Sequence, residues 1–291
     1  MIFQSPWLAA IFIKNVTNGE YTHHCGGSII SEMHILTAAH CLDPRINPTT
    51  LSDNDSVKSN IKIIVGMEKP GENCTRKKEV EYGIKDFFIH PEFNFPYYDV
   101  AILELESKIK FTKGISSVCL SRDSTDNLRG RAVSLSGWGA VSPNHPPSKF
   151  LRPTNQLDVT TVSYCKNKIG IFTYGDPVQA SVFNRKEWLK IDDSDGELSM
   201  EGLICVEDQT PNGLTGSCEG DSGSPVVKRA FVSHGGRRYE QVGIVSGGRC
   251  SDRDTPSVLN HIGHEKVWEF IQSKSKFKIF LGFEKFYSII S

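Results

Sequence analysis

Residues 216–225 read GSCEGDSGSP, in which Ser222 lies between Gly220 and Gly223 and directly follows the acidic residue Asp221. Glycines on both sides permit a sharp turn that exposes a hydroxyl group and aims backbone N–H groups at one point. A serine hydroxyl is a weak nucleophile at neutral pH, so it needs a nearby base, and that base needs an orienting partner. The stretch therefore predicts a histidine and a carboxylate elsewhere in the chain that act with Ser222.

Two further stretches supply these partners. His40 follows a short apolar run in TAAHC (residues 37–41), and Asp99 opens the apolar run DVAILEL (residues 99–105). Taken alone, the histidine would be an ordinary surface or core residue and the aspartate a turn residue. A buried aspartate is costly unless a partner compensates its charge, and a histidine can be that partner. Together the three stretches predict a catalytic triad of Ser222, His40 and Asp99.

The composition is that of a globular protein without a marked charge. Hydrophobic residues make up 38% of the 291 residues and charged residues 23%, so the chain can bury a substantial core. The formal net charge of −1 gives no indication of nucleic acid or an anionic membrane as a partner. No apolar run reaches the roughly 18 residues of a membrane span.

The cysteines indicate an oxidising compartment. Eight cysteines without a C-x-x-C pair favour disulfides over a zinc ribbon or a redox motif. Glycosylation sequons at Asn15, Asn54 and Asn73 add modest support. We therefore expect a secreted glycoprotein, and we interpret residues 1–14 as domain sequence rather than as a signal peptide.

Secondary-structure signals are mostly those of short strands. Apolar or β-branched runs, among them residues 61–65, 100–105, 159–162 and 257–261, alternate with clusters of Gly, Pro, Asn, Asp and Ser. This pattern predicts an all-β barrel or sandwich. The one convincing helix runs from Val267 to about Lys274.

The motifs as a set resemble the chymotrypsin/trypsin-type serine peptidases, peptidase family S1. TAAHC, DVAIL and GDSGSP occur in the family's order, together with Pro6-Trp7, CGGS at residues 25–28 and GWG at residues 137–139. The resemblance implies two packed six-stranded antiparallel β-barrels over residues 1–272, a C-terminal helix, and an extension over residues 273–291. It also implies a secreted zymogen of a serine endopeptidase that acts through an acyl-enzyme. The alternative is a non-catalytic homologue that binds partners outside the cell.

The resemblance assigns further roles within the site. The N–H groups of Gly220 and Ser222 would form the oxyanion hole, and Ser246 would lie behind Asp99. Asp221 would accept an ion pair from a new N-terminus released by an upstream protease. The chain starts too close to Pro6-Trp7 to include that activation sequence, so we expect a missing upstream segment.

The resemblance also implies three disulfides, namely Cys25–Cys41, Cys165–Cys205 and Cys218–Cys250. It leaves open whether Cys74 and Cys119 pair with each other. Ser224 stands where relatives usually have a glycine, which restricts the turn, and Gly247 stands where they usually have a tryptophan.

The expected substrate pocket for the residue before the scissile bond has a neutral floor. It would be built by Gly216, Ser217, Glu219, Ser246, Gly247, Gly248, Arg249 and Ser257. Trypsin-like members have an aspartate at the position of Gly216, so cleavage after Arg or Lys is disfavoured. We expect Arg249 to point to solvent and the pocket to take apolar residues such as Leu or Phe; an inward Arg249 would favour acidic residues instead.

No cofactor and no metal ion are expected. The loop over residues 66–79 binds calcium in some relatives, but here its lysines and arginine oppose a cation. The acidic run at residues 192–197 lacks the ligand spacing of a calcium loop and reads as a solvated turn. The expected partners are a protein or peptide substrate, an activating protease and protein inhibitors, and the expected state is a monomer.

Overall fold

A computed structural model of the chain describes residues 5–44, 52–67, 80–142, 145–165, 167, 200–208, 216–231, 236–248 and 256–275. Several predicted features lie outside the described residues: Cys74, Arg249, Cys250, the acidic run 192–197 and the tail from residue 276. The following description concerns the described residues alone.

The first sheet contains seven antiparallel strands that return on themselves. They are β1 (Leu8–Lys14), β2 (Tyr21–Ile29), β3 (His34–Thr37), β4 (Ile61–Val65), β5 (Val80–Tyr82), β6 (Ile84–Ile89) and β7 (Ala101–Leu105). Their order is β5-β4-β1-β2-β3-β7-β6. Only Gly83 separates β5 from β6, so the two edges of the sheet are halves of one bent strand. Counted in this way, the sheet is a six-stranded barrel.

The second sheet closes by hydrogen bonds. Its strands are β8 (Cys119–Leu120), β9 (Ala132–Gly137), β10 (Arg152–Val159), β11 (Leu203–Asp208), β12 (Pro225–Phe231), β13 (Arg237–Gly247) and β14 (Ser257–His261). The order is β12-β9-β10-β11-β14-β13-β8, and β12 also pairs with β13. Six strands therefore form a closed barrel, with β8 added in parallel to β13. The predicted all-β architecture of two packed barrels is confirmed.

Three α-helices lie wholly within the described residues. They are α1 (Asn54–Asn60), α2 (Thr125–Leu128) and α3 (Glu265–Ser275). The predicted C-terminal helix is confirmed as α3, which begins two residues earlier than expected. Its apolar side chains join the core of the first barrel, although the helix follows the second barrel in sequence. No described helix is long and apolar enough to cross a membrane.

Each barrel has its own apolar core, and a third cluster packs between them. Trp7 and Phe12 of the first barrel meet Trp138 and Val227 of the second in this cluster. Polar contacts accompany it, because the Ser28 hydroxyl donates to Gln241 Oε1 at 2.7 Å in a fully buried position. The barrels therefore bury both apolar and polar surface against each other.

Two of the three expected disulfides are confirmed, and they join Cys25 to Cys41 and Cys165 to Cys205. Cys218 is also disulfide-bonded, while its expected partner Cys250 lies outside the described residues. Within the described residues, Cys119 is exposed and forms no disulfide.

Leu103 offers a direct test of the first core. Its side chain has no exposed surface, so Leu103→Ala should lower the free energy of unfolding by about 2–5 kcal/mol through lost contacts and a cavity. Phe231, which is 81% exposed, is the control, because Phe231→Ala should change the value by no more than about 0.5 kcal/mol. Urea unfolding measures both, and equal effects would contradict this description of the core.

Candidate active site

Strand pairing brings His40 and Asp99 together. β3 and β7 are antiparallel, with Thr37 opposite Ala101, so the end of β3 lies beside the start of β7. His40 sits in a single 3-10 turn just after β3, and Asp99 lies just before β7. The His40 N–H donates to Asp99 Oδ1 at 2.8 Å, and Nδ1 lies 2.6 Å from Asp99 Oδ2.

The Asp99 carboxylate is fully buried and accepts a third hydrogen bond from the second barrel. Its residue has 0% exposed surface. The Ser246 hydroxyl, on β13, donates to Asp99 Oδ2 at 2.5 Å. Ser246 therefore lies behind Asp99, as predicted. Three donors compensate the cost of burying this charge.

The turn that carries Ser222 rests against the strand end that carries His40. The Gly26 N–H donates to the Ser222 carbonyl at 2.7 Å, and the Gly223 N–H donates to the Val245 carbonyl at 2.7 Å. Gly220 and Gly223 have φ values of +93° and +80°, which favour glycine. A side chain on Gly223 would also overlap Thr37 and the Gly26 carbonyl. Ser222 itself remains partly exposed.

A disulfide lies beside the histidine. His40 Nε2 is 4.0 Å from Cys41 Sγ, and the ligand atoms of Cys25, His40 and Cys41 lie within 4.8 Å of one another. Both sulfurs are consumed by the Cys25–Cys41 bond, so they cannot act as thiolate ligands. This grouping is not a metal site.

The Asp221 carboxylate is buried and is bound by backbone N–H groups. It accepts the Gly139 N–H at 2.8 Å and the Cys218 N–H at 3.0 Å. Burial raises the pKa of Asp221 to about 6, and the two N–H groups only partly oppose this shift. Among the described residues, no lysine, arginine or histidine forms an ion pair with it.

Several buried polar atoms near Asp221 have no partner within the described part of the chain. They are both ring nitrogens of His23, Ser224 Oγ and Trp138 Nε1. A side chain on Gly220 would meet the His23 ring at van der Waals distance. Ser224 does not have a positive φ, so the serine fits the turn. Its hydroxyl occupies space that the neighbouring Gly26 and Gly137 leave free.

The described pocket residues lie together and carry no buried charge. The Ser217 N–H donates to Ser257 Oγ at 2.8 Å, and the Ser217 hydroxyl donates to Ser257 Oγ at 2.9 Å. Ser217 Oγ also contacts the Gly247 carbonyl at 3.3 Å. Gly216 and Gly248 flank this pair. Glu219 is exposed, and Arg249 lies outside the described residues.

Sequence reasoning missed two residues of the site, His23 and Asn260. The fully buried Asn260 on β14 accepts the Asp99 N–H at 3.0 Å through Oδ1. Its position in an apolar strand was the only available signal, since a buried amide needs partners.

Comparisons with known proteins agree on one family. A family model described as Trypsin matches residues 2–268. The chain is 24% identical over 273 residues to the transmembrane protease serine 11G of Rattus norvegicus, which covers 93% of this chain and 52% of that protein. It is 27% identical over 267 residues to the serine proteinase stubble of Drosophila melanogaster, an alignment that covers 90% of this chain and 29% of that protein. It is 27% identical over 252 residues to a venom serine protease of Polistes dominula, an alignment that covers 86% of this chain and 74% of that protein. The chain thus spans about half or less of the length of the first two.

Buried histidines should make the fold sensitive to acid. Burial and the nearby His24 lower the pKa of His23 to about 4. The unfolded state therefore binds a proton first as the pH falls below about 6.5, and stability is lost between there and about 4. His24 has the same shift and the same sign, whereas the raised pKa of Asp221 acts in the opposite direction.

Between about pH 7.5 and pH 5, the free energy of unfolding should fall by about 2 kcal/mol less in His23→Phe than in the wild type. Urea unfolding at the two pH values measures this difference. His145→Gln, at an exposed position, should behave as the wild type does. An unchanged pH dependence in His23→Phe would contradict the burial of an uncharged His23.

Proposed function

The chain belongs to the trypsin family, and on that premise we propose that it is a secreted serine endopeptidase that works through Ser222, His40 and Asp99. The observation that carries the proposal is the 2.6 Å contact between His40 Nδ1 and the fully buried Asp99 carboxylate. This contact keeps a proton on Nδ1 and leaves Nε2 as the basic nitrogen. The disulfides support an oxidising, extracellular location.

The proposed reaction passes through an acyl-enzyme. Ser222 Oγ attacks the carbonyl carbon of the peptide while His40 Nε2 takes its proton. The N–H groups of Gly220 and Ser222 stabilise the oxyanion. His40 then gives the proton to the leaving amine, and water releases the acyl group by the same steps in reverse. Asp99 holds the imidazole in place and stabilises its charged form.

Asp221 is proposed to accept a cation during activation. Its raised pKa reflects burial without a positive partner among the described residues. A new α-amino group, released by an upstream protease, would supply that charge and hold the turn with Gly220 and Ser222 in shape. Such control fits a zymogen. We propose a monomer that protein inhibitors bind after activation.

Two substitutions test the reaction. His40→Ala and Ser222→Ala should each reduce kcat/KM by a factor of roughly 10⁴ or more, because the three residues act as a unit. A fluorophosphonate probe should label the activated wild type and leave Ser222→Ala unlabelled. An activated protein that is never labelled would support the alternative, a non-catalytic homologue that binds extracellular partners.

The neutral pocket predicts specificity. The Ser217–Ser257 pair and Gly216 offer no buried carboxylate to a basic side chain, and an unpaired buried charge costs several kcal/mol. A peptide library should therefore show cleavage after apolar residues rather than after Arg or Lys. Dominant cleavage after Arg or Lys would refute this assignment, and cleavage after Asp or Glu would mean that Arg249 points inward.

A further inference from the structure

Asn260 is a fully buried amide in the middle of an apolar strand. Its backbone pairs with Leu203 on one side and with Ile244 on the other, so its position in the second barrel is fixed. Its side chain reaches across to the first barrel. Oδ1 accepts the Asp99 N–H at 3.0 Å, and Nδ2 donates to the Pro96 carbonyl at 3.0 Å. One amide thus binds both ends of a four-residue segment.

Asp99 of this segment and Phe95, the residue before it, contact His40 from two directions. Asp99 binds the imidazole through its carboxylate, and the Phe95 ring, next to Pro96, meets the imidazole edge-on with centroids 5.6 Å apart. Asp99 and Phe95 therefore both limit where the imidazole can lie. A shift of residues 95–99 would move both of these contacts with His40 at once.

The backbone of this segment is strained at Tyr98. Tyr98 has φ of +51°, a conformation that a tyrosine rarely adopts. External contacts hold it there: its hydroxyl donates to Glu201 Oε1 at 2.6 Å, and its ring stacks on His90 at 4.8 Å. Without the Asn260 side chain, which binds both Pro96 and Asp99, the strain at Tyr98 would favour a shift of the backbone. Two fewer hydrogen bonds would oppose that shift.

The second barrel consequently holds Asp99 at two points. Ser246 binds the carboxylate, and Asn260 binds the backbone N–H of the same residue. A bond to the carboxylate alone would follow the side chain if the backbone moved. We propose that Asn260 is a positioning residue that keeps the Asp99 carboxylate aligned on His40 Nδ1, an inference that rests on the proposed peptidase function.

Gln241 provides a matched control. Like Asn260, it is an amide with 0% exposed surface on a strand of the second barrel, and it too bonds to the first barrel, accepting from Ser28. It has no hydrogen bond to Asp99 or His40 within the described part of the chain. If Asn260 merely tied the barrels together, loss of either amide would have the same kind of effect.

The experiment compares Asn260→Ala with Gln241→Ala in the activated full-length protein. We expect Asn260→Ala to lower kcat by about 10- to 100-fold with little change in KM, since a misplaced catalytic group slows the reaction without weakening substrate binding. Gln241→Ala should lower Tm but keep kcat within about threefold when assayed well below its Tm. In proton NMR, the downfield His40 Nδ1–H signal should shift or broaden only in Asn260→Ala.

Asn260→Asp decides the question if the alanine variant does not fold. In its neutral form, the introduced carboxyl group has the shape of the amide, and it can accept from Asp99 and donate to Pro96. Burial and the nearby Asp99 raise the pKa of such a carboxyl group, and its ionisation removes the donor. The ratio of variant to wild-type kcat should therefore fall by about tenfold or more as the pH rises from about 6 to 8.5.

The possible failures are distinct. A wild type that the fluorophosphonate probe never labels would refute the proposed function and this inference with it. A labelled wild type whose Asn260→Ala variant keeps its kcat, or whose Asn260→Asp ratio does not change with pH, would overturn only the role of Asn260.

Discussion

A carboxylate without exposed surface must find its compensation inside the protein, and Asp99 finds it in both barrels. The first barrel supplies two donors from His40, and the second supplies the hydroxyl of Ser246. Each of these donors offsets part of the cost of taking the carboxylate out of water. The packing of the barrels is therefore tied to the site, because separation of the barrels would remove the Ser246 hydroxyl from the Asp99 carboxylate.

Local chain geometry prepares both sides of this contact. Antiparallel pairing of β3 and β7 places a strand end beside a strand start, and these are the positions of His40 and Asp99. On the other side, two glycines with positive φ bend the chain around Ser222. The Gly26 N–H then fixes that turn to the first barrel through a backbone bond. The Cys25–Cys41 disulfide links the residue before Gly26 to the residue after His40, so one covalent bond ties both supports together.

Much of this was predictable because the signals are local. TAAHC, DVAIL and GDSGSP each fit within a few residues, and the alternation of short apolar runs with turn residues indicates strands. The prediction of a strand over residues 159–162 was wrong beyond Val159, where β10 ends; the hydroxyl of Thr161 accepts the Tyr164 N–H and begins a helical turn instead. The partner of Asn260 could not be identified from the sequence around it, since Asp99 lies 161 residues away. The burial of the His23 nitrogens, which have no partner among the described residues, likewise depends on packing between distant segments.

The position of α3 has a consequence for how the chain is built. Val267, Trp268, Phe270 and Ile271 complete the core of the first barrel, and the Phe270 ring lies 5.0 Å from that of His90. A ribosome makes the strands of the first barrel early and this helix late. The first barrel therefore has an uncovered apolar face while the whole second barrel is synthesised. Its last step of assembly is set by translation of residues near 270, and until then its exposed surface is a natural target for chaperones.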